Sequence, residues 1–207
     1  MSQAAFITLE GIEGVGKTSA VAVVVEWLRA MGRDVTITRE PGGTELGERI
    51  RALVLERNEI PIAPLAELLL MFAARAQHLE QRIRPALARG EVVVCDRFTD
   101  ATYAYQGGGR GLPRAHIDSA ARLVHGDLAP TLTLLLDAPP EVGLSRARTR
   151  SAADRFEAEQ VQFFERVRQA YLERAAAEPQ RFAIIDASQD MARVHADIRA
   201  QLAERLP

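Results

Sequence analysis

The chain has 207 residues, 47% of them hydrophobic and 26% charged, with a formal net charge of −2. That length suits one compact α/β domain, and the near-neutral charge gives no whole-molecule attraction to nucleic acid or to an anionic membrane. Its single cysteine, Cys95, allows no disulfide within the chain. No apolar run approaches the roughly 20 residues of a membrane span, and Met1–Glu10 lacks the basic start and apolar core of a secretion signal, so a cytoplasmic protein is expected. Of its 26 lysines and arginines only one, Lys17, is a lysine. An ammonium is a compact point charge and a guanidinium a broad planar fork, so a solitary lysine in an arginine-rich chain marks a site too tight for the fork.

In chain order, Ala5–Glu10 (AFITLE) reads as a short buried strand followed at once by a glycine loop. A helix is expected from Thr18 to about Ala30, ended by Gly32. Asp34–Arg39 (DVTITR) alternates as a strand does, and Pro41, Gly42 and Gly43 break the chain after it. Helices follow at about Glu45–Glu56 and Pro64–Arg89, the second ended by Gly90. Glu91–Asp96 (EVVVCD) is an apolar strand. Thr99–Tyr105 reads as helical, ended by the glycine run that starts at Gly107. Pro113–His125 is a helix with proline at its start. Thr131–Asp137 (TLTLLLD) is a strand, Pro140–Arg148 and Glu159–Ala177 are helices, Phe182–Asp186 is the last strand, and Met191–Leu206 is the last helix. Between 149 and 154 the polar stretch TRSAAD is the candidate mobile loop. Apolar strands alternating with helices predict a five-stranded parallel sheet with helices on both faces, a three-layer α/β sandwich whose ligands bind at the carboxyl ends of the strands.

Gly11–Ile12–Glu13–Gly14–Val15–Gly16–Lys17–Thr18 matches the phosphate-loop pattern G-x-x-x-x-G-K-S/T in full, after a strand and at the start of a helix. Its glycines let backbone N–H groups turn inward around a phosphate, and the helix N-terminus adds partial positive charge. Residues Gly11, Glu13, Gly14, Val15, Gly16, Lys17 and Thr18 are therefore expected to hold the phosphates of a nucleoside triphosphate. Lys17 reaches the β- and γ-phosphates, and the Thr18 hydroxyl is a ligand for Mg²⁺. Asp96 and Asp137 each end a strand, and either can hold magnesium or its waters. Asp96 is favoured because Arg97 beside it supplies a phosphate-binding fork; Asp137 reads rather as a capping or loop-bracing residue. Glu13 is an odd charge beside a triphosphate unless it points to a second ligand.

Phosphoryl transfer needs positive charge on both sides of the migrating group. Arg39 and Arg97 close two strands at the ligand edge and can each grip a phosphate with two hydrogen bonds. Phe72, Arg75 and Leu79 share one helical face. Spacing alone favours a core Phe72 with Arg75 reaching to water over a base-stacking pair. Arg146, Arg148, Arg150 and Arg155 flank the candidate loop. Arginines closing over a transferring phosphoryl would neutralise its charge, whereas Arg146 reads as solvated surface. Arg148 and Arg150 stand two apart and cannot share one face; Arg150, nearer the loop, is favoured over Arg148 as the inward residue.

Taken together, TLEGIEGVGKT, TREPGGTELGERIR, ELLLMFAARAQHL, DRFTDATYAYQGGGRG, LTLLLDAPPEVGLSRAR and DRFE resemble bacterial thymidylate kinases over essentially the whole chain. The resemblance implies a single P-loop nucleoside monophosphate kinase domain over 1–207, with a mobile lid at about 146–157. It also implies transfer from ATP with Mg²⁺ to dTMP, in dTTP biosynthesis. Phe72 is then expected to stack on thymine and Arg75 to hydrogen-bond its edge, with Thr102 and Gln106 bordering the base. Tyr105 closes the sugar pocket at C2′, and Glu13 faces the acceptor sugar. Arg39 and Arg97 hold the acceptor phosphate, with Pro41 beside them. The phosphate loop carries no arginine, which implies the lid type of catalytic arginine. The resemblance further implies a homodimer built on long helices. Ser151, Ala152 and Ala153 depart from the glycine and longer polar set common in relatives. Another monophosphate or deoxynucleoside kinase is the nearest alternative. A guanine-nucleotide switch is excluded, because its Asn-Lys-x-Asp element needs a lysine other than Lys17. His78, His116, His125 and His195 lack metal-ligand spacing.

Overall fold

A computed structural model describes residues 4–56, 61–148, 155–157 and 159–206. Five parallel strands form one sheet in the order β2-β3-β1-β4-β5: β1 (Ala5–Glu10), β2 (Val35–Arg39), β3 (Val92–Asp96), β4 (Leu132–Asp137) and β5 (Phe182–Asp186). β1, β3 and β4 read as unbroken apolar runs because they are central and covered on both sides. Successive side chains point to opposite faces. Ile7, Leu9, Val92 and Val94 join the core with Ala20, Val24 and Leu28 of α1 (Lys17–Ala30). Phe6, Val93 and Cys95 pack instead against Leu79, Ile83 and Ala86 of the long rod that begins with α3 (Pro64–His78). Helices therefore lie on both faces, as expected. The outer strands differ: Ile37 of β2 and Ile184 of β5 are about half exposed, at 45% and 53%.

The register aligns Leu9 with Asp96 and Asp96 with Arg39, which puts the strand ends at one edge. α2 (Glu45–Leu55) opens there after the Thr44 hydroxyl caps the Gly47 amide at 3.0 Å. The first turn of α1 is different. Gly16 precedes it in a left-handed conformation (φ 95°), no side chain caps it, and no acid stands in its first turn. Its amides keep their capacity for an anion.

Two expected helices take another form. The rod from Pro64 is α-helical to His78, passes through a wider π-type turn at Leu79–Ile83, and resumes as α4 (Arg84–Ala88). Pro85 explains the break: it has no N–H, and its ring crowds the carbonyl four residues earlier. The second helix, α5 (Thr99–Thr102), does not stop at the glycines but continues as a π-type segment, Tyr103–Gly109. A Cβ at Gly108 would lie 2.7 Å from Ala170 Cβ, and one at Gly109 2.5 Å from the Phe163 ring. These glycines serve close packing against α8 (Val161–Ala177) rather than a chain break. α6 (Arg114–Val124), α7 (Pro140–Arg148) and α9 (Met191–Arg205) complete the fold. No helix among the described residues is long and apolar enough to cross a membrane.

Candidate active site

At the carboxyl edge of the sheet lies a cleft of about 1020 Å³, counting its part open to solvent. The phosphate loop forms one wall. Gly14 holds φ 73° against α7, where any Cβ would collide with the Gly143 carbonyl. Glu13, Gly14, Gly16, Lys17 and Thr18 line this wall. Lys17 Nζ folds back to the carbonyls of Gly11 at 3.1 Å and Ile12 at 2.7 Å. Burial, then the nearby Arg97 charge, pushes its pKa down to about 8.

Asp96 lines the same cleft, and its Oδ1 is buried without a partner. With the Thr18 hydroxyl it offers the sparse oxygen set that suits Mg²⁺, which keeps water and phosphate oxygens in its shell. Asp137 is committed elsewhere, to Arg168 through two bonds of 2.7 Å, and so braces β4 against α8.

Arg97 stands at φ 70°, in the left-handed region that non-glycine residues rarely adopt. Its Nη1 donates to Gly11 O at 2.9 Å and to Tyr171 Oη at 3.2 Å, and its Nη2 to Glu13 Oε1 at 2.9 Å. Tyr105 donates to the other Glu13 oxygen at 2.6 Å, and its ring lies 4.8 Å beneath the Arg97 guanidinium. Burial holds the Tyr105 phenol well above its usual pKa, so it remains a donor. Behind this group sits Glu10, fully buried, accepting from the Phe98 amide and from Tyr171 Oη at 2.7 Å each. Burial, then Asp100, raises the Glu10 pKa well above the carboxylate range, against the pull of Arg97.

On the opposite wall, Arg75 is 3% exposed. Its Nε donates to Glu40 Oε2 at 2.6 Å, and its Nη2 to Phe98 O at 3.2 Å and Thr102 Oγ1 at 3.0 Å. Nη1 is buried without a partner. His78 continues the chain: Nδ1 lies 3.0 Å from Glu40 Oε1, and Nε2 2.5 Å from Thr38 Oγ1. Gln106 also lines the cleft, its amide nitrogen 2.7 Å from Glu67 Oε1. Phe156 closes the rim with its ring perpendicular to Tyr105 at 5.6 Å.

Of the residues expected from sequence, the cleft brings together Glu13, Gly14, Gly16, Lys17, Thr18, Pro41, Arg75, Asp96, Arg97, Thr102, Tyr105 and Gln106. Phe72 is not among the lining residues. It is 3% exposed, packs with Leu68, Ile117 and Ala121, and has Arg75 over its ring at 4.8 Å. Arg39 also stands apart, paired with Glu48 at 2.9 Å in a neighbouring groove. Arg51, not expected from sequence, lines the cleft and donates to Pro41 O at 3.0 Å. Burial, then the like charge of Arg39, draws its pKa down. Its signal lay inside the segment GTELGERIR, on the helix that opens just after the Pro41–Gly43 break.

The lid residues divide. Arg146 bonds the carbonyls of Ala187 and Ser188, away from the cleft. Arg148 closes α7, and Arg150 lies outside the described residues, as does the expected mobile loop at 149–154. Arg155 docks onto Val54 O at 2.7 Å and Glu67 Oε2 at 2.5 Å.

The family model described as Thymidylate kinase matches residues 9–198. The chain is 59% identical over 197 residues to thymidylate kinase of Ectopseudomonas mendocina, covering 95% of this chain and 94% of that one. It is 57% identical over 202 residues to thymidylate kinase of Pseudomonas syringae pv. tomato, covering 98% and 94%. Among solved structures, thymidylate kinase from Ehrlichia chaffeensis superposes with a TM-score of 0.79 at 33% identity, over 97% of this chain and 99% of that one.

Proposed function

The chain belongs to the thymidylate kinase family, and from that premise we propose how its cleft carries out the reaction. The activity is phosphorylation of dTMP to dTDP in nucleotide biosynthesis; the family uses ATP as donor and depends on magnesium. The observation that carries the site reading is the orphaned Arg75 Nη1, a buried donor in a cleft that also holds the phosphate loop.

We assign ATP to Gly11, Glu13, Gly14, Val15, Gly16, Lys17 and Thr18. Lys17 leaves the carbonyls of Gly11 and Ile12 and transfers its ammonium to the β- and γ-phosphates, which restores its full charge. Thr18 and Asp96 hold Mg²⁺, which when bound neutralises charge on the phosphates. The acceptor dTMP lies across the cleft. Arg75 Nη1 donates to a carbonyl of thymine, Thr102 and Gln106 border the base, and Phe72 supports the Arg75 guanidinium from behind. Tyr105 presses on C2′, and Glu13 faces the sugar. The acceptor phosphate competes with Glu13 for Arg97 and gains Arg51 as a second fork, with Pro41 between them. Arg39 adds positive charge from the neighbouring groove.

The catalytic arginine is then one of Arg148 and Arg150, with Arg150 favoured. Such a residue acts in the transition state, so its loss lowers kcat with little change in nucleotide affinity. Separate kinetics of Arg148→Ala and Arg150→Ala test this, and wild-type kcat in both would remove the arginine from the lid. We further assign a cytoplasmic homodimer whose interface uses α2, α3 and α6. Leu46, Leu53, Leu65, Leu69 and Leu123 on these helices are 46–86% exposed, an apolar surface that suits a partner. Sedimentation of the purified protein tests the dimer. A phosphotransfer assay with ATP against a panel of monophosphates tests the acceptor, with dTMP expected to be the most efficient substrate.

A further inference from the structure

Glu67 opens the segment ELLLMFAARAQHL without a role of its own in the expected site, yet it is fully buried behind the base pocket. Its Oε1 receives the Gln106 amide nitrogen at 2.7 Å, and its Oε2 receives Arg155 Nη2 at 2.5 Å. Arg110 Nε approaches both oxygens, at 3.5 and 3.4 Å. Two guanidiniums, from the chain after Tyr103–Gly109 and from 155–157, thus fix this carboxylate in place from two sides. A carboxylate oxygen flanked by guanidiniums only accepts. Turning the Gln106 amide over would set two acceptor oxygens 2.7 Å apart, so the nitrogen must face Glu67. The Gln106 oxygen is then the polar atom left for the cleft. It has no partner among the described residues and is not one of the buried orphans, while Gln106 itself lines the cleft.

We propose that Glu67 is a specificity-determining positioning residue: by claiming the amide nitrogen of Gln106 it presents a fixed acceptor to the base. This rests on the reading of Gln106 as a base contact. Arg75 is set by the same device with the opposite sense. Glu40, Phe98 O and Thr102 use its Nε and Nη2, and Nη1 is left as a fixed donor. The pair therefore reads donor at one position and acceptor at the next. A pyrimidine with a carbonyl at C4 and an N3–H complements both. Cytosine, with an amino group at C4 and a lone pair at N3, is opposed at both.

The test uses an analogue that changes only the Gln106 half of this reading. The monophosphate of 5-methyl-2′-deoxyisocytidine keeps the carbonyl at C4 but carries a lone pair at N3 and an amino group at C2. The readout is the ratio of kcat/KM for dTMP over the analogue, with the KM for ATP measured alongside. Wild type should prefer dTMP strongly, and Gln106→Ala should lose most of that preference. Glu67→Gln can donate as well as accept, so Gln106 is released to turn. Its preference should fall by about tenfold or more, the scale set by an unpaired buried polar group, with ATP KM little changed. Glu67→Asp keeps an acceptor-only group and should keep the preference even if both acceptors bind less well. A purely structural role for Glu67 would weaken both acceptors alike and leave the ratio unchanged.

A folded Glu67→Gln with the wild-type ratio, beside a Gln106→Ala that loses it, would overturn the proposal while leaving Gln106 as a base contact. A wild-type ratio in Gln106→Ala would overturn both. Should Glu67→Gln fail to fold, wild-type protein decides. The Gln106 side-chain amide protons, assigned by their loss in Gln106→Ala, should exchange slowly and shift little when dTMP is added. Fast exchange and a large shift would mean that the nitrogen faces the cleft, against the proposal.

Discussion

The Tyr105 hydroxyl donates to Glu13 Oε2 at 2.6 Å while Arg97 Nη2 donates to Glu13 Oε1 at 2.9 Å, so one carboxylate of the phosphate loop ties the two sides of the cleft together. The ring and the hydroxyl of Tyr105 have separable duties. Tyr105→Ala removes the ring proposed to close on C2′ and should narrow the gap in kcat/KM between dTMP and its ribonucleotide counterpart. Tyr105→Phe keeps the ring and should preserve that gap. It loses one hydrogen bond to a charged acceptor, about 1.5–3 kcal/mol, which should appear as a lower Tm. An unchanged ratio in the alanine variant would place sugar discrimination elsewhere.

Lys17 gives the empty enzyme a pH signature. Burial pushes its pKa from 10.5 down to about 8, so between these values the unfolded chain carries more of this proton than the folded chain does. Its contribution to the stability of the empty protein therefore rises with pH across that window. A triphosphate favours the charged ammonium, so ATP binding above about pH 8 should take up a proton and below pH 7 should not. Calorimetry in buffers of different ionisation enthalpy measures this, and Lys17→Ala should abolish it. The same variant should lose on the order of 10²-fold or more in phosphotransfer, since a charged contact to the transferring group is gone.

Arg51 and Arg39 should part company. Arg51 lines the cleft and bonds Pro41 O, whereas Arg39 is paired with Glu48 on an exposed surface. Arg51→Ala should raise the KM for dTMP by roughly 10- to 100-fold, the loss of one charge-assisted bond to phosphate. Arg39→Ala should change it only a few-fold, with a salt-dependent effect typical of an exposed charge. Equal effects would return Arg39 to the phosphate site.

The order of strands and helices was legible because apolar runs such as VVVCD and LTLLLD have no other use than a buried parallel sheet. The phosphate loop was legible because glycine spacing, a lysine and a threonine must occur together for phosphate to fit. What sequence could not supply was direction. Phe72 and Arg75 share a face, but only packing shows the guanidinium lying over the ring, 4.8 Å from its centroid. Arg39 sits at a strand end, yet the edge position of β2 lets it turn outward to Glu48. Gly108 and Gly109 looked like part of a chain break, because glycine needed for close approach to α8 has the same letter as glycine needed for a turn. His78 stood in the segment ELLLMFAARAQHL without a readable role, because its link from Thr38 to Glu40 arises between elements far apart in sequence.

Arg75, fixed by Glu40, is proposed to read the acceptor base and to have no part in holding ATP. Titration of Arg75→Ala with dTMP and with ATP in parallel separates these roles. In this variant dTMP affinity should fall by about 1.5–3 kcal/mol, roughly 10- to 150-fold, because a buried carbonyl loses its charged donor. ATP affinity should stay within about twofold, too small a change for a lost hydrogen bond. Equal losses for the two nucleotides, or unchanged binding of dTMP, would mean that Arg75 does not read the base.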